Sequence, residues 1–252
     1  MTRITLLTTV ATLTLVWTGA AHAQSQDSAG DEIAQLDEVV VTARAGTRTL
    51  PRVQASYAIT SVNEERLRLQ NPLSVSDALK FVPGFWVESS GGEASANIRA
   101  RGIPQEGFSA VAMQEDGLPI QHDAGLGFMN ADQSFRIDET IGRLEVVRGG
   151  PSVIFGSYAP GGIVNFITKN GGQTFEGLVK AQVGDYGLYR GDIWLGGPVG
   201  GNWTGTVGGF YRVSDGIRDP GFTADEGGQI RATLSGAFER GSVDLGLSHM
   251  DD

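Results

Sequence analysis

The sequence predicts a small α+β domain, a mixed sheet with short helices, followed by the first antiparallel strands of a transmembrane β-barrel. Three observations carry this. Residues 74–85 (SVSDALKFVPGF) put Val75, Ala78, Leu79 and Val82 at helical spacing behind a capping Ser74, amid short β-rich runs punctuated by Gly and Pro. After residue 172 the pattern changes to segments of about ten residues, apolar on one side and polar on the other. Their connections alternate in length: Glu239-Arg240-Gly241 is a tight turn, whereas residues 214–228 are long and polar. A soluble sandwich also alternates, but short turns at one end and long loops at the other favour the barrel.

The chain has 252 residues, with 37 Gly, 9 Pro and no Cys, so disulfides and thiolate metal sites are excluded. Residues 1–23 read as a cleaved signal peptide. Arg3 opens it, residues 4–16 are a short apolar, threonine-rich core, and Ala21-His22-Ala23 is a small-x-small cleavage site. A membrane anchor would need about 20 apolar residues, and this run is too short. Cleavage removes one Arg and no acid, leaving 18 basic against 29 acidic residues, net −11. No electrostatic footprint for nucleic acid is present.

Residues 24–36 are polar, small and aperiodic, a disordered leader. Asp37, Glu38, Val39, Val40, Val41, Thr42 and Ala43 follow; three successive valines favour an extended backbone, suited to joining the edge of another protein's sheet or to being the domain's own first strand. Residues 46–54 are basic and irregular, and 57–62 form a short strand. Ser61 with Glu64 offers a helix start, and residues 64–70 make one or two turns that Asn71-Pro72 stops. Residues 74–85 form the clearest helix, ended by Pro83-Gly84. Residues 97–102 are an alternating strand carrying arginines, and 110–115 a further strand returning through the Asp116-Gly117 turn. Residues 144–148 and 163–168 are strands around a Gly/Pro-rich connection.

In the second region Val179, Ala181 and Val183 oppose Lys180 and Gln182, and Tyr189, Ile193 and Leu195 oppose Arg190, Asp192 and Trp194. Residues 203–212 continue less cleanly; Ile230, Ala232, Leu234 and Phe238 oppose Gln229, Arg231, Thr233 and Ser235. Four or five strands cannot close a barrel, and an open sheet would leave backbone groups unpaired in lipid, so the chain reads as the N-terminal part of a longer protein. No G-x-S-x-G, phosphate loop or H-E-x-x-H is present, so no enzyme, cofactor or metal site is expected.

In register, these landmarks resemble the TonB-dependent outer-membrane receptors. Glu145, Val146, Val147, Arg148, Gly149, Gly156, Gly161, Gly162, Asn165, Ile167, Thr168 and Lys169 match the wording that ends the family's plug domain, with Gly150 where proline is usual. Asp77, Ala78, Leu79, Pro83 and Gly84, then Arg101-Gly102 with Ala100 departing, then Asp116, Gly117 and Pro119 match earlier plug motifs. The resemblance implies a signal peptide at 1–23, a leader at 24–45 with a TonB box at 37–43, a plug at 46–172 and barrel strands at 173–252. The leader leaves no room for the extra N-terminal signalling domain of transducing members.

It also implies an outer-membrane location and energised uptake of a small nutrient, with TonB as partner at residues 37–43 and lipid around the barrel. A ferric siderophore is the favoured cargo; carbohydrate, cobalamin or an aromatic compound are alternatives. A passive porin or adhesin and a soluble periplasmic plug-like binding protein are rivals from other classes. Plug loops at such positions face outward and touch cargo, which nominates Gln121, His122 and Asp123, although a loop histidine is also commonly just solvated. Arg101, Glu145 and Arg148, charged residues on plug strands, are expected to form an ion-pair lock between plug and barrel.

Overall fold

The computed structural model describes residues 11–17, 40–41, 50–51, 58–90, 92–105, 111–120, 131–149, 159–218 and 220–251; at 11–17, 40–41 and 50–51 the backbone alone is described. In chain order the elements are β1 (Ala11–Trp17), β2 (Val40–Val41), β3 (Leu50–Pro51), β4 (Ile59–Asn63), α1 (Glu64–Gln70), α2 (Val75–Leu79), β5 (Phe85–Ser89), β6 (Ala96–Ala100), β7 (Ile103–Pro104), β8 (Val111–Glu115) and β9 (Leu118–Pro119). A 3-10 turn (Ala131–Ser134) precedes β10 (Ile141–Arg148), β11 (Gly162–Thr168), β12 (Glu176–Val183), β13 (Tyr189–Gly200), β14 (Trp203–Ser214), β15 (Asp225–Phe238) and β16 (Gly241–Asp251). The chain divides into an α/β unit, His22–Ile137 with Ile141–Thr168, and a second unit, Met1–Ala21 with Asp138–Thr140 and Lys169–Asp252.

The α/β unit is built on a sheet of order β4-β10-β11-β8-β9, with β11 and β8 parallel and the other pairs antiparallel. Strand periodicity decides its core: Leu144 and Val146 of β10 and Val164 and Phe166 of β11 point one way and are fully buried. Val75, Ala78 and Leu79 of α2 join them, as does Phe135, whose ring stacks on Phe166 at 4.3 Å. Burying a side chain such as Leu79 contributes about 2 kcal/mol. The Asp116-Gly117 turn is clasped from β11, where Thr168 donates its N–H (2.9 Å) and hydroxyl (2.6 Å) to the Asp116 carboxylate. Gly117 N–H donates to Asn165 Oδ1 at 2.9 Å. Asp132, buried in the 3-10 turn, accepts from Ala96 N–H at 2.8 Å, and burial raises its carboxyl above the usual range.

Three local expectations change. Asn63, not Ser61, caps α1, accepting from Arg66 N–H at 3.1 Å, because its side chain sits at the position adjoining the first turn. The second helix ends at Leu79 rather than at Pro83: a proline ring clashes with the carbonyl four residues back, which is that of Leu79, and restricts Val82 before it. Arg101 is not on a strand, since β6 ends at Ala100 and Arg101 turns the chain with φ 52°.

In the second unit the strand order is β1-β12-β13-β14-β15-β16, all antiparallel. Its polarity is inverted relative to a water-soluble sheet. Val179, Val183, Tyr189, Ile193, Leu195, Val207, Tyr211 and Ile230 are exposed on one face, while Lys180, Gln182, Arg190, Asp192, Arg212 and Arg231 are buried on the other. Trp203 lies over Gly236, where a Cβ would meet the ring at 2.8 Å, and meets Phe238 edge-on at 5.6 Å, close to the short turns at 201–202 and 239–240. Tyr189 and Tyr211 stand at the end with the longer connections. The eight steps from Trp203 to Tyr211 span about 27 Å of strand, or about 20 Å of thickness at the usual tilt, close to the apolar band between two aromatic girdles. The apolar, threonine-containing stretch of β1 pairs along the edge of β12 that faces away from β13. Of the expected signal peptide only residues 11–17 are described.

Candidate functional site

The proposed box contributes two described residues: Val40 and Val41 pair antiparallel with Pro51 and Leu50. Asp37, Glu38, Val39, Thr42 and Ala43 lie outside the described residues, as do Gln121, His122 and Asp123. The two-residue ladder is short, and Pro51 has no N–H to give to Val40. Among the described residues, this ladder is all that pairs with the β2 backbone.

Of Arg101, Glu145 and Arg148, the charged residues expected to form an ion-pair lock between plug and barrel, the two arginines lie beside the same glycine, Gly84. Arg101 N–H donates to the Gly84 carbonyl at 2.8 Å, and Arg148 Nη1 donates to the Pro83 carbonyl at 2.7 Å. The Arg101 side chain crowds Gly149, where a Cβ would stand 2.7 Å from its Nη1, and the Arg148 side chain lies beside Gly84, where a Cβ would be in ordinary contact with its Nη1 at 3.8 Å. Gly84 (φ 86°) and Gly149 (φ 84°) also occupy backbone that only glycine adopts freely. Glu145 points to the other face of β10, where its buried carboxylate accepts from Arg143 Nε at 2.7 Å. The period of two separates Glu145 from Arg148 and joins it to Arg143.

A further polar cluster among the described residues involves none of the expected site residues. Asp138, Glu139 and Thr140 precede β10 in sequence but group with the strands after residue 168. Glu139 Oε1 meets Lys180 Nζ at 2.7 Å, and its Oε2 lies 3.7 Å from Lys169 Nζ. Asp138 Oδ2 accepts from Gln229 Nε2 at 2.6 Å and from Arg231 Nη1 at 3.2 Å; its Oδ1 accepts from Thr140 N–H at 2.8 Å and from the Thr140 hydroxyl. Farther along the same face Arg190 grips Asp192 through Nε and Nη2 (3.1 and 2.9 Å) beneath the Phe210 ring, and Arg212 reaches Asp225 at 2.8 Å. Two adjacent acids just ahead of a valine-rich strand were the available sequence signal, but their partners lie tens of residues away.

Chemically this is a holding arrangement. Paired, buried charges fix position strongly, and removing one member of such a pair costs about 3 to 5 kcal/mol because the other is stranded. Among the described residues, no three His, Cys, Asp or Glu are placed to hold a metal ion, and no helix is long and apolar enough to cross a membrane.

Comparison with known proteins places these features. Residues 51–163 match the family described as the TonB-dependent Receptor Plug Domain. The ferric-pyoverdine M114 receptor PbuA of Pseudomonas sp. (strain M114) is 31% identical over 181 residues, covering 71% of this chain and 20% of the relative. The pesticin receptor of Yersinia pestis is 26% identical over 229 residues, covering 88% of this chain and 32% of the relative. In fold, the chain is similar to the ferripyoverdine receptor of the outer membrane of Pseudomonas aeruginosa bound to ferripyoverdine, with TM-score 0.66 and 22% identity, covering 82% of this chain and 27% of that one. The chain therefore spans between a fifth and a third of the length of these curated relatives.

Proposed function

Residues 51–163 are a plug domain of the TonB-dependent receptors, and on that premise we propose that the full-length protein is an outer-membrane receptor for TonB-energised uptake of a ferric siderophore. The observation that carries this reading is the inverted wall of β12 to β15, apolar where exposed and charged where buried. A porin wall would share that inversion, but not the plug ahead of it. The names of the similar proteins support the cargo class: one is a ferric-pyoverdine receptor, one a pesticin receptor and another a hemin receptor.

In this reading residues 1–23 are removed on export, residues 37–43 add a strand to TonB in the periplasm, and residues 173–252 begin the barrel in contact with lipid. Gln121, His122 and Asp123 touch cargo on the outer side. Arg101 and Arg148 offer two guanidinium groups to acidic partners, while Glu145 is engaged by Arg143. The protein binds and moves its ligand without chemical change, so it is not an enzyme, and its net charge of −11 after export (18 basic against 29 acidic residues) gives nucleic acid no foothold. Carbohydrate, cobalamin and aromatic compounds remain the alternative cargoes.

Deleting the gene and supplying single iron sources under iron limitation tests the cargo. Loss of growth on one ferric siderophore, with growth on ferrous iron and on sugars unchanged, is expected. Unimpaired growth on every ferric complex, with a defect on a sugar or on cobalamin, would overturn the siderophore assignment.

A further inference from the structure

We infer that Asp138, Glu139 and Thr140 are an anchor by which the wall holds both ends of the β10–β11 hairpin, with Lys180, Gln229, Arg231 and the gap at Gly208 as the receiving site. Cross-strand register explains how three residues are gripped so widely. Leu178, Trp194, Gly208 and Arg231 form one inward row across β12, β13, β14 and β15; Lys180, Asp192, Phe210 and Gln229 form the next. Glu139 reaches Lys180 on β12, and Asp138 reaches Gln229 and Arg231 on β15. Thr140 lies between them over Gly208 of β14, where a Cβ would stand 2.8 Å from its methyl group. Any larger residue at Gly208 would fill the seat.

The side chains of Asp138 and Glu139 are 0% and 8% exposed, and those of Arg231 and Lys180 are 4% and 9% exposed. Salt screens such pairs little. Lifting the segment would strand two carboxylates and two cations together, so it stays or leaves as one piece.

The other end of the hairpin is fastened at the same place. Lys169, which follows the last residue of β11, donates its N–H to the carbonyl of Thr140, which precedes the first residue of β10, at 2.8 Å. The Lys169 ammonium also lies 5.0 Å from the centre of the Trp194 ring. Residues 141–168 are thus a loop with both ends pinned to the wall. The holding does not depend on the uptake reading.

Hydrogen exchange on the purified full-length protein tests this, comparing wild type, Glu139→Lys, Lys180→Glu and the double charge swap. Each single variant is expected to speed exchange of amides in 141–148 and 162–168 about tenfold or more, and the swap to return them to within about threefold of wild type. Unchanged hairpin protection in the single variants, or a swap no slower than either, would overturn the anchor. Amides of β13 and β14 report assembly. Should Glu139→Lys fail to assemble, Glu139→Gln keeps the size and removes the charge, and it must still speed the hairpin relative to the wall; equal protection refutes the proposal. Because the readout needs no transport, a failed uptake assignment leaves it intact.

Discussion

Replacing Val40 by proline in the full-length protein is expected to reduce energised uptake to background while leaving cargo binding at the cell surface unchanged. A strand that joins another protein's sheet is held by its backbone, and proline removes a ladder donor and cannot sit within a central strand. Losing that ladder bond costs about 1 to 3 kcal/mol, or about five- to a hundredfold in partner affinity. Among the described residues, the β2–β3 ladder that holds Val40 and Val41 has two pairs, and one partner is Pro51. Val40→Thr keeps both the β-branched shape and the N–H, and should transport nearly normally. Labelled-ligand accumulation at 37 °C, set against binding on ice, separates the two steps. Wild-type accumulation by the Val40→Pro protein would mean that residues 37–43 are not the point of attachment.

Gly162→Val is expected to break the central ladder of the plug. Gly162 pairs with Arg148 at φ 153°, and a Cβ there would stand 2.6 Å from the carbonyl oxygen of Val147, an atom fixed in the facing strand. Neither strand can give way without disturbing the buried rows of Leu144, Val146, Val164 and Phe166. Backbone strain and overpacking together cost about 3 to 5 kcal/mol. Limited proteolysis of the receptor in membranes should cut the variant plug under conditions that leave wild type whole. Gly172→Ala is the matched control: its added Cβ meets nothing nearer than 3.8 Å. Equal resistance of the Gly162→Val and wild-type plugs would contradict the packing described.

What could be read from the sequence follows from what is local. Helix α1 spans Glu64–Gln70 as the sequence suggests, although Asn63 rather than Ser61 caps it, and Asn71 closes it in the left-handed region at φ 46°. The Asp116-Gly117 turn and the alternation along β12 and β13 also depend on neighbours in sequence, and both are where the pattern puts them. The length of the second helix was open to the same reasoning, since Pro83 acts back on Leu79. Glu145 pairing with Arg143 was likewise within reach, as positions two apart share a strand face. The grip on Asp138, Glu139 and Thr140 was not. Those residues lie between elements and have no period, and Lys180, Gln229 and Arg231 become their neighbours only through the register of four strands. Arg101 and Arg148 both come beside Gly84 for the same kind of reason, from positions far apart in the chain.

The uptake proposed above requires a pull from the periplasm. The most direct measurement is accumulation of a labelled ferric siderophore by iron-starved cells carrying the full-length protein as their sole receptor for it, with and without a proton uncoupler. Binding that persists and accumulation that stops when the gradient collapses is the predicted result. Accumulation that continues unabated in de-energised cells would mark a passive pore and contradict the account.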